Sequence, residues 1–325
     1  MTDRRKFMAG LSVVALAHPL RASAQHAAAP VQRIGVLLFN SPRIDPISPL
    51  IEGLQDLGYA VGKSLTIDYR YAEGNADRLP AAAAELVQLK PDVIVALGGD
   101  VAPHVKSATA SIPIVVLVSN DPVRSGLVTS LARPGANVTG MTLIYDELAG
   151  KVLELLKQAV PDVARVGVLW NPDHADPEFQ ETQRAAALHG VTIQSLEVRR
   201  PADFDGAFEA AARERTQAII VVSSRLMFQH RQKIVDFGLT HGVPMAGSWG
   251  NWARVVLLLT FGPRQGAALR LLAGYVDKVL KGIPPASLPM ERPARFELVL
   301  NMNTARALKL DIPPALLARA DEVIE

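Results

Sequence analysis

The chain has 325 residues, of which 49% are apolar and 20% charged, as in a globular protein with enough apolar material for two ordinary domains. Its formal net charge of +2 comes from basic residues near its start, so the rest of the chain is close to neutral. This balance excludes nucleic acid as the expected partner, because binding to phosphates needs clustered Lys and Arg side chains. The absence of cysteine excludes disulfides, thiolate chemistry and cysteine-based metal sites.

Residues 1–24 have the three parts of an export signal. A basic start at Arg4-Arg5-Lys6 precedes an apolar stretch, and Ala22-Ser23-Ala24 fits a cleavage site before Gln25. The apolar stretch is about half as long as the roughly 20 residues that a membrane-spanning helix needs. The paired arginines resemble a twin-arginine signal, and the general secretory route stays open as an alternative. Because bacterial lipoproteins are tethered through a cysteine, we expect a periplasmic protein without a lipid anchor.

Beyond residue 32, short apolar runs alternate with longer helical patterns, which is typical of a parallel sheet covered by helices. The elements predicted in the first half are strand 33–39, helix 49–57, strand 64–71, helix 78–89, strand 92–97, helix 101–110 and strand 112–118. Those predicted in the second half are helix 146–158, strand 165–170, helix 177–189, strand 191–198, helix 204–215, strand 218–222, helix 227–241 and strand 243–246. The predicted fold class is therefore α/β.

The two halves repeat each other in register. Residues 33–37 (Arg-Ile-Gly-Val-Leu) match residues 165–169 (Arg-Val-Gly-Val-Leu), and Ile112-Pro113 matches Val243-Pro244 at nearly the same offset. Nearly equal offsets predict two similar open parallel-sheet lobes in tandem rather than one mixed sheet, whose core would exceed the usual domain size.

Two further β-like segments, 137–143 and 255–261, are interpreted as hinge strands between the lobes. An amphipathic helix at 265–281 and a Pro-rich segment follow the second of them. We expect lobe 1 to comprise residues 31–142 plus about 262–290, and lobe 2 to comprise residues 143–261 plus about 291–325. The chain would then cross between the lobes more than twice.

Ligands of open α/β sheets bind beyond the carboxyl ends of the strands, where loops and the positive ends of helices converge and suit a carboxylate or another anion. The predicted strand ends are rich in small, hydrogen-bonding and tryptophan residues. Helix capping and turn formation explain any one of the polar residues equally well, so the prediction depends on the whole set. The predicted ligand-binding residues are Asn40, Ser41, Gly98, Gly99, Asp100, Ser119, Asp121, Trp170, Asn171, Ser223, Ser224, Ser248, Trp249 and Phe261.

Motifs for catalysis and metal binding are missing. The seven histidines show no H-x-x-x-H or H-E-x-x-H spacing, and no G-x-G-x-x-G follows the first strand. There is also no phosphate-binding G-x-x-x-x-G-K-[ST] loop and no G-x-S-x-G motif. Asp100 and Asp121 could form an acid–base pair, although a helix cap and a turn are simpler roles for them. We therefore expect no catalytic residue, no metal site and no cofactor.

From Arg33 to Glu325, the chain resembles the ABC transporter substrate-binding family whose best-known members bind tryptophan or tyrosine. The segments that carry the resemblance are Tyr69-Arg70-Tyr71-Ala72-Glu73-Gly74 with Arg78-Leu79-Pro80, Asp121-Pro122-Val123, residues 133–140, residues 296–301, and Pro313-Pro314 with residues 317–324. The resemblance implies a type 1 periplasmic-binding fold, in which two lobes close on a small solute and present it to an inner-membrane permease.

The chain departs from the family pattern at positions that bear on the solute. It has Asp100 where the family usually has a small residue or Thr, Arg254-Val255 where the family has a Gly pair, and Phe261 where it has Tyr. A Phe cannot donate the hydrogen bond that a Tyr would, so the resemblance does not fix the solute. We expect a small carboxylate-bearing or aromatic, amino-acid-like solute bound by a monomer.

Three other functions stay open at this stage. A ligand sensor would show its closed form to a membrane receptor, and a periplasmic enzyme would use Asp100 and Asp121 on a bound substrate. A regulator of the lac-repressor type would share the two-lobed core, but such proteins begin with a helix-turn-helix, whereas this chain begins with an export signal.

Overall fold

The computed structural model describes residues 31–41, 47–174, 177–249, 252 and 257–325. The predicted export signal and Arg254-Val255 lie outside these residues. Among the helices of the described ranges, none is long and apolar enough to cross a membrane.

The first half of the described chain builds a parallel sheet. Its strands are β1 Gln32–Leu38, β2 Leu65–Tyr71, β3 Val93–Leu97, β4 Ile114–Val118 and β5 Val138–Thr142, in the order β2-β1-β3-β4-β5. Its helices are α1 Ser48–Asp56, α2 Leu79–Gln88 and α3 Ala102–Ala108. Every residue of β3, β4 and β5 is buried, because other elements cover both faces of a parallel sheet, and this explains the continuous apolar runs of β3 and β4.

The second half builds a larger sheet. Its strands are β6 Arg165–Trp170, β7 Thr192–Glu197, β8 Ala218–Val221, β9 Met245–Gly247, β10 Leu259–Gly262, β11 Glu297–Asn301 and β12 Glu322–Ile324, in the order β12-β11-β10-β9-β8-β6-β7. The other helices of the described chain are α4 Tyr145–Ala159, α5 Glu178–Ala186, α6 Asp203–Arg213, α7 Arg225–Gln229, α8 Arg231–His241, α9 Gln265–Leu280, α10 Met302–Ala307 and α11 Pro314–Leu317.

The two sheets repeat the same topology, which confirms the prediction of two similar lobes. The order β7-β6-β8-β9-β10 in the second sheet corresponds strand by strand to β2-β1-β3-β4-β5 in the first, and all these pairings are parallel. The second sheet then continues with β11, which is antiparallel to β10, and with β12, which is parallel to β11.

The last third of the chain contributes to both lobes. Leu272 and Val276 of α9 pack in the same apolar cluster as Ile34 of the first sheet, whereas Leu298 and Leu300 of β11 pack with the second sheet. In the described residues the chain thus passes between the lobes after β5, after β10 and before β11. These three connections form the hinge region.

One predicted helix is wrong in its extent. The pattern predicts a single helix over 227–241, but the structure has α7 and α8 separated at His230, whose backbone leaves the helical region at φ −102° and ψ 19°. The hydroxyl of Ser224 accepts a hydrogen bond from the Met227 N–H and so starts α7 earlier than predicted. The ring of His230 packs against Phe204, with ring centroids 5.2 Å apart, at the point where the helix breaks.

Candidate functional site

A cavity of about 440 Å³ lies between the carboxyl ends of the two sheets. Its walls come from the ends of β1, β3 and β4 and the start of α1 in lobe 1, and from the ends of β8 and β9 and helix α7 in lobe 2. The residues that line it include Leu38, Ser48, Pro49, Leu97, Gly98, Gly99, Asp100, Ser119, Tyr145, His174, Ser223, Ser224, Arg225, Phe228, Trp249, Arg264, Gln265 and Gly266. Its size is that of an ordinary small-molecule site.

The loop after β3 brings the backbone of lobe 1 close to a guanidinium group of lobe 2. Gly98 has a φ of +121°, and a Cβ atom there would lie 2.5 Å from Nη2 of Arg225. The same Nη2 donates a hydrogen bond of 2.8 Å to the carbonyl of Leu97. Glycine suits the positive φ at position 98, and a Cβ atom there would have to displace the end of the Arg225 side chain.

Aromatic side chains of lobe 2 and the hinge region form one wall of the cavity. The ring of Trp249 lies 5.4 Å from the ring of Phe228 and 6.3 Å from that of Tyr145, in both cases at a tilted angle. Such tilted pairs are a favourable arrangement of aromatic quadrupoles. The wall offers an apolar surface against which a flat solute can pack.

Polar contacts hold the two lobes together around the cavity. Nδ1 of His174, after β6, lies 2.8 Å from Oδ1 of Asp100, after β3. Gln229 of α7 donates a hydrogen bond of 2.5 Å to Oδ1 of Asn40 in lobe 1. With the bond from Arg225 to lobe 1, these contacts describe a conformation in which the lobes are closed on each other.

The carboxyl of Asp100 is ionised more readily than an ordinary aspartate. Burial acts to raise its pKa, but the charge and hydrogen bond of His174, together with Arg225 and His104, outweigh burial and lower that pKa. The His174 side chain is 7% exposed and that of Asp100 is 28% exposed, so the pair is largely shielded from bulk solvent. An ionised Asp100 therefore stabilises the closed contact between the lobes.

The sign of this pKa shift predicts an acid-sensitive contribution to stability. Because its pKa is lower in the folded protein, Asp100 stabilises the fold above the ordinary aspartate value of about 3.9 and loses this effect as the pH falls through its folded value. We expect Asp100→Asn to lower the melting temperature near neutral pH, and the difference from the unchanged protein to shrink below about pH 4. Thermal melts over a pH series, with the exposed Asp311→Asn as the matched control, measure this difference. A difference that stays constant down to low pH would contradict it.

A buried carboxyl lies behind the cavity and orders two of its strand ends. Glu178, the first residue of α5, is 1% exposed and accepts hydrogen bonds from the backbone N–H of Ser223 at 3.1 Å and from the hydroxyl of Ser248 at 2.9 Å. Glu178 thus fixes the ends of β8 and β9 relative to each other.

Half of the predicted ligand-binding residues line the cavity and half do not. Those that line it are Gly98, Gly99, Asp100, Ser119, Ser223, Ser224 and Trp249. Those that do not line it are Asn40, Ser41, Asp121, Trp170, Asn171, Ser248 and Phe261. Contact with a solute stays a prediction for every member of both groups.

Several residues of the second group have other roles that the structure describes. Asp121 and Asn171 accept hydrogen bonds from backbone N–H groups two residues onward, at 2.8 and 2.9 Å, and so shape turns. Trp170 stacks on Phe179, with centroids 4.2 Å apart. The ring of Phe261 faces Phe296 at 6.0 Å.

Several residues that line the cavity are not among the predicted ones, including Tyr145, His174, Arg225, Phe228 and Arg264. Arg225 directly follows Ser223-Ser224 at a predicted strand end, and this position was the available signal. His174 and Phe228 lie three or more residues beyond their strands, so only the path of the loop and of α7 brings them to the cavity.

A family model described as "ABC transporter substrate binding protein" matches residues 36–324. A tyrosine-binding protein of Clostridioides difficile (strain R20291) is 34% identical over 145 residues, which are 44% of this chain and 41% of that protein. The match thus spans less than half of the length of that relative.

Solved structures resemble the chain over most of its length. A conserved domain protein from Vibrio cholerae O1 biovar El Tor has 29% identity and a TM-score of 0.85, and the match covers 90% of this chain and 99% of that one. An ABC domain from Streptococcus pneumoniae in complex with L-Trp has 26% identity and a TM-score of 0.84, with the same coverage.

Proposed function

The chain belongs to the ABC transporter substrate-binding protein family, and on this premise we propose that it is the periplasmic binding component of an ABC-type uptake system. The family is one of substrate-binding proteins rather than enzymes. In this proposal the protein binds a small carboxylate-bearing or aromatic, amino-acid-like solute between its lobes. It then delivers the solute to an inner-membrane permease.

The observation that carries this proposal is a cavity of about 440 Å³ lined from both lobes and bridged by polar contacts between them. A solute in this position would contact both lobes at once and so favour the closed form over the open one. Closure of such lobes is a hinge motion. A permease could recognise the closed form by its surface alone.

Two features of the cavity support the solute class. The aromatic wall of Tyr145, Phe228 and Trp249 suits a flat apolar group. The starts of α1 and α9, helices of 9 and 16 residues, both line the cavity, and helix N-termini attract anions such as carboxylates. Their combination favours an aromatic solute with a carboxylate.

The extents of the lobes and of the export signal are part of the proposal. We place residues 31–142 and about 262–290 in lobe 1, and residues 143–261 and about 291–325 in lobe 2. Residues 1–24 would direct the protein to the periplasm and be removed there.

A thermal-shift screen of the protein without residues 1–24 tests the binding function. The panel contains aromatic amino acids, aromatic acids without an amino group, and small aliphatic carboxylates. A solute that binds only the folded state raises the melting temperature by mass action, and a ligand at 100 times its Kd stabilises by about 2.7 kcal/mol. Titration calorimetry on each hit is expected to give a Kd near micromolar, equivalent to about −8 kcal/mol.

Matched variants connect a hit to the cavity. Trp249→Ala is expected to weaken its binding by about tenfold or more, because an aromatic contact and buried apolar area are lost. Trp170→Ala changes a tryptophan that does not line the cavity and is expected to leave the Kd unchanged. A panel without any hit, or a hit whose Kd is unaffected by Trp249→Ala, would contradict the proposed site.

Uptake of a radiolabelled hit by cells lacking the gene tests the transport role. The proposal expects uptake to be lost and then restored by the unchanged chain. Unimpaired uptake with a lost cellular response to the solute would instead identify a sensor.

A further inference from the structure

A second, much smaller cavity lies behind the first and shares two side chains with it. Its volume of about 10 Å³ is close to the space that one water-sized group needs. Its walls are formed by Val221, Val222, Ser223, Gly247, Ser248, Trp249, Trp252 and Leu257. Because Ser223 and Trp249 line both cavities, a solute in the large cavity lies next to the small one.

Three side chains that line this small cavity each have a polar atom that is buried without a hydrogen-bond partner in the described part of the chain. These atoms are Oγ of Ser223 and the Nε1 atoms of Trp249 and Trp252. Ser223 and Trp252 are only 5% and 4% exposed, so bulk water does not reach them. Most buried polar groups in proteins are hydrogen-bonded, and three side chains with unpartnered groups around one cavity therefore point to a common partner.

The chemistry of these atoms defines what that partner must be. An indole N–H can only donate, so a group that satisfies both Trp249 and Trp252 must be an acceptor. The hydroxyl of Ser223 can donate or accept. A single hydroxyl oxygen that accepts from both indoles and donates to Ser223 would satisfy all three side chains, and a carbonyl oxygen could accept from all three.

The walls of the small cavity favour a neutral oxygen over an anionic one. The described residues that line it are apolar, serine, glycine or tryptophan, and none of them carries a positive charge. Burying an unpaired negative charge costs far more free energy than burying a hydrogen-bonded neutral group. A carboxylate of the solute is therefore expected elsewhere, toward the helix N-termini of the large cavity.

We propose that Ser223, Trp249 and Trp252 form a subsite for one neutral acceptor oxygen, which a hydroxyl or carbonyl group of the solute occupies. The identity of the solute in this inference rests on the proposed binding function. A buried water molecule offers the same chemistry, and the experiment below distinguishes the two sources. The subsite would make the protein prefer solutes whose aromatic end carries an oxygen.

Two probe pairs that differ by one phenolic hydroxyl test this preference. They are tyrosine against phenylalanine, and para-hydroxyphenylacetate against phenylacetate. If the protein binds one of these pairs, we expect the Kd of its hydroxylated member to be lower than that of the other member by about tenfold or more. This factor corresponds to the free energy of one to two buried hydrogen bonds. Trp252 lines the small cavity and not the large one, so Trp252→Phe is expected to abolish this preference while it leaves the Kd of the unsubstituted member within about twofold.

The control variant is Trp170→Phe, because Trp170 lines neither cavity and donates its N–H to Ser195 at 2.8 Å. It should keep the full preference. Ser223→Ala is the second test variant and is needed if Trp252→Phe folds poorly. It removes only the hydroxyl of a residue that lines both cavities. It should also reduce the preference.

A high-resolution crystal structure of the protein, with and without the bound probe, identifies the occupant. Density for the probe's oxygen between the two indole nitrogens supports the solute as the source. The solute assignment is overturned if a water molecule lies there in both crystals and Trp252→Phe weakens the binding of both members of the pair equally. The oxygen then belongs to the water. The subsite itself is overturned if no oxygen lies within hydrogen-bond distance of the indoles and Trp252→Phe behaves as Trp170→Phe does. If no probe binds, the proposed solute class fails, and the crystal without probe still decides whether the subsite holds an oxygen.

Discussion

Replacement of Arg225 with Met is expected to weaken solute binding by about 10- to 150-fold, the equivalent of about 1.5–3 kcal/mol for a hydrogen bond of a charged group. The guanidinium bridges the lobes through the carbonyl of Leu97, and its charge contributes to the low pKa of Asp100. A methionine keeps much of the apolar stem but neither the donor nor the charge. The closed form would then lose a contact that the open form does not have.

Calorimetric titration of a hit from the solute screen measures this effect. Arg213→Met is the matched control, because Arg213 is an exposed residue at the end of α6 and does not line the cavity. Its Kd should equal that of the unchanged protein. Equal Kd values for Arg225→Met and Arg213→Met would show that closure does not depend on the bridge.

Replacement of Gly140 with Ala is expected to destabilise the protein by about 2–6 kcal/mol. Gly140 lies in β5 opposite Val116 of β4 and has a φ of +138°, which alanine rarely adopts. A Cβ atom would lie 2.0 Å from the backbone oxygen of Val116 and 2.6 Å from its nitrogen. Since both contacts are with backbone, the strands would have to separate.

Chemical denaturation measures the free energy of unfolding of this variant. The control is Gly274→Ala in α9, where a Cβ atom would meet nothing within 4 Å. Alanine in the interior of a helix should stabilise by about 0.5–1 kcal/mol there. If both variants changed stability in the same direction and by similar amounts, the close approach of β5 and β4 would not be the cause.

The predicted elements agree with the structure where apolar periodicity dominates. β6 has its predicted bounds, and β3 and β4 begin within two residues of theirs, because buried parallel strands give uninterrupted apolar runs. The single helix predicted over 227–241 is wrong because the chain leaves the helical conformation at His230, whose ring contacts Phe204 from another helix. Periodicity within one segment contains no information about such contacts.

The candidate site was predictable only as far as strand ends define it. Gly98, Ser119 and Ser223 line the cavity because they follow central strands of the two sheets. Trp170 is the last residue of β6, but its ring turns toward Phe179 and Ser195 and does not line the cavity. Position along the chain predicts where the backbone of a residue lies, whereas packing decides where its side chain points.

The sequence by itself determined the α/β class and the tandem repeat, because both depend on the alternation of apolar runs and on matching segments such as 33–37 and 165–169. Only the tertiary structure decided which groups meet across the cleft, such as Asp100 with His174 and Arg225 with Leu97. These partners are 74 and 128 residues apart and belong to different lobes. Their pairing depends on how the two sheets close on each other, and no local propensity encodes that arrangement.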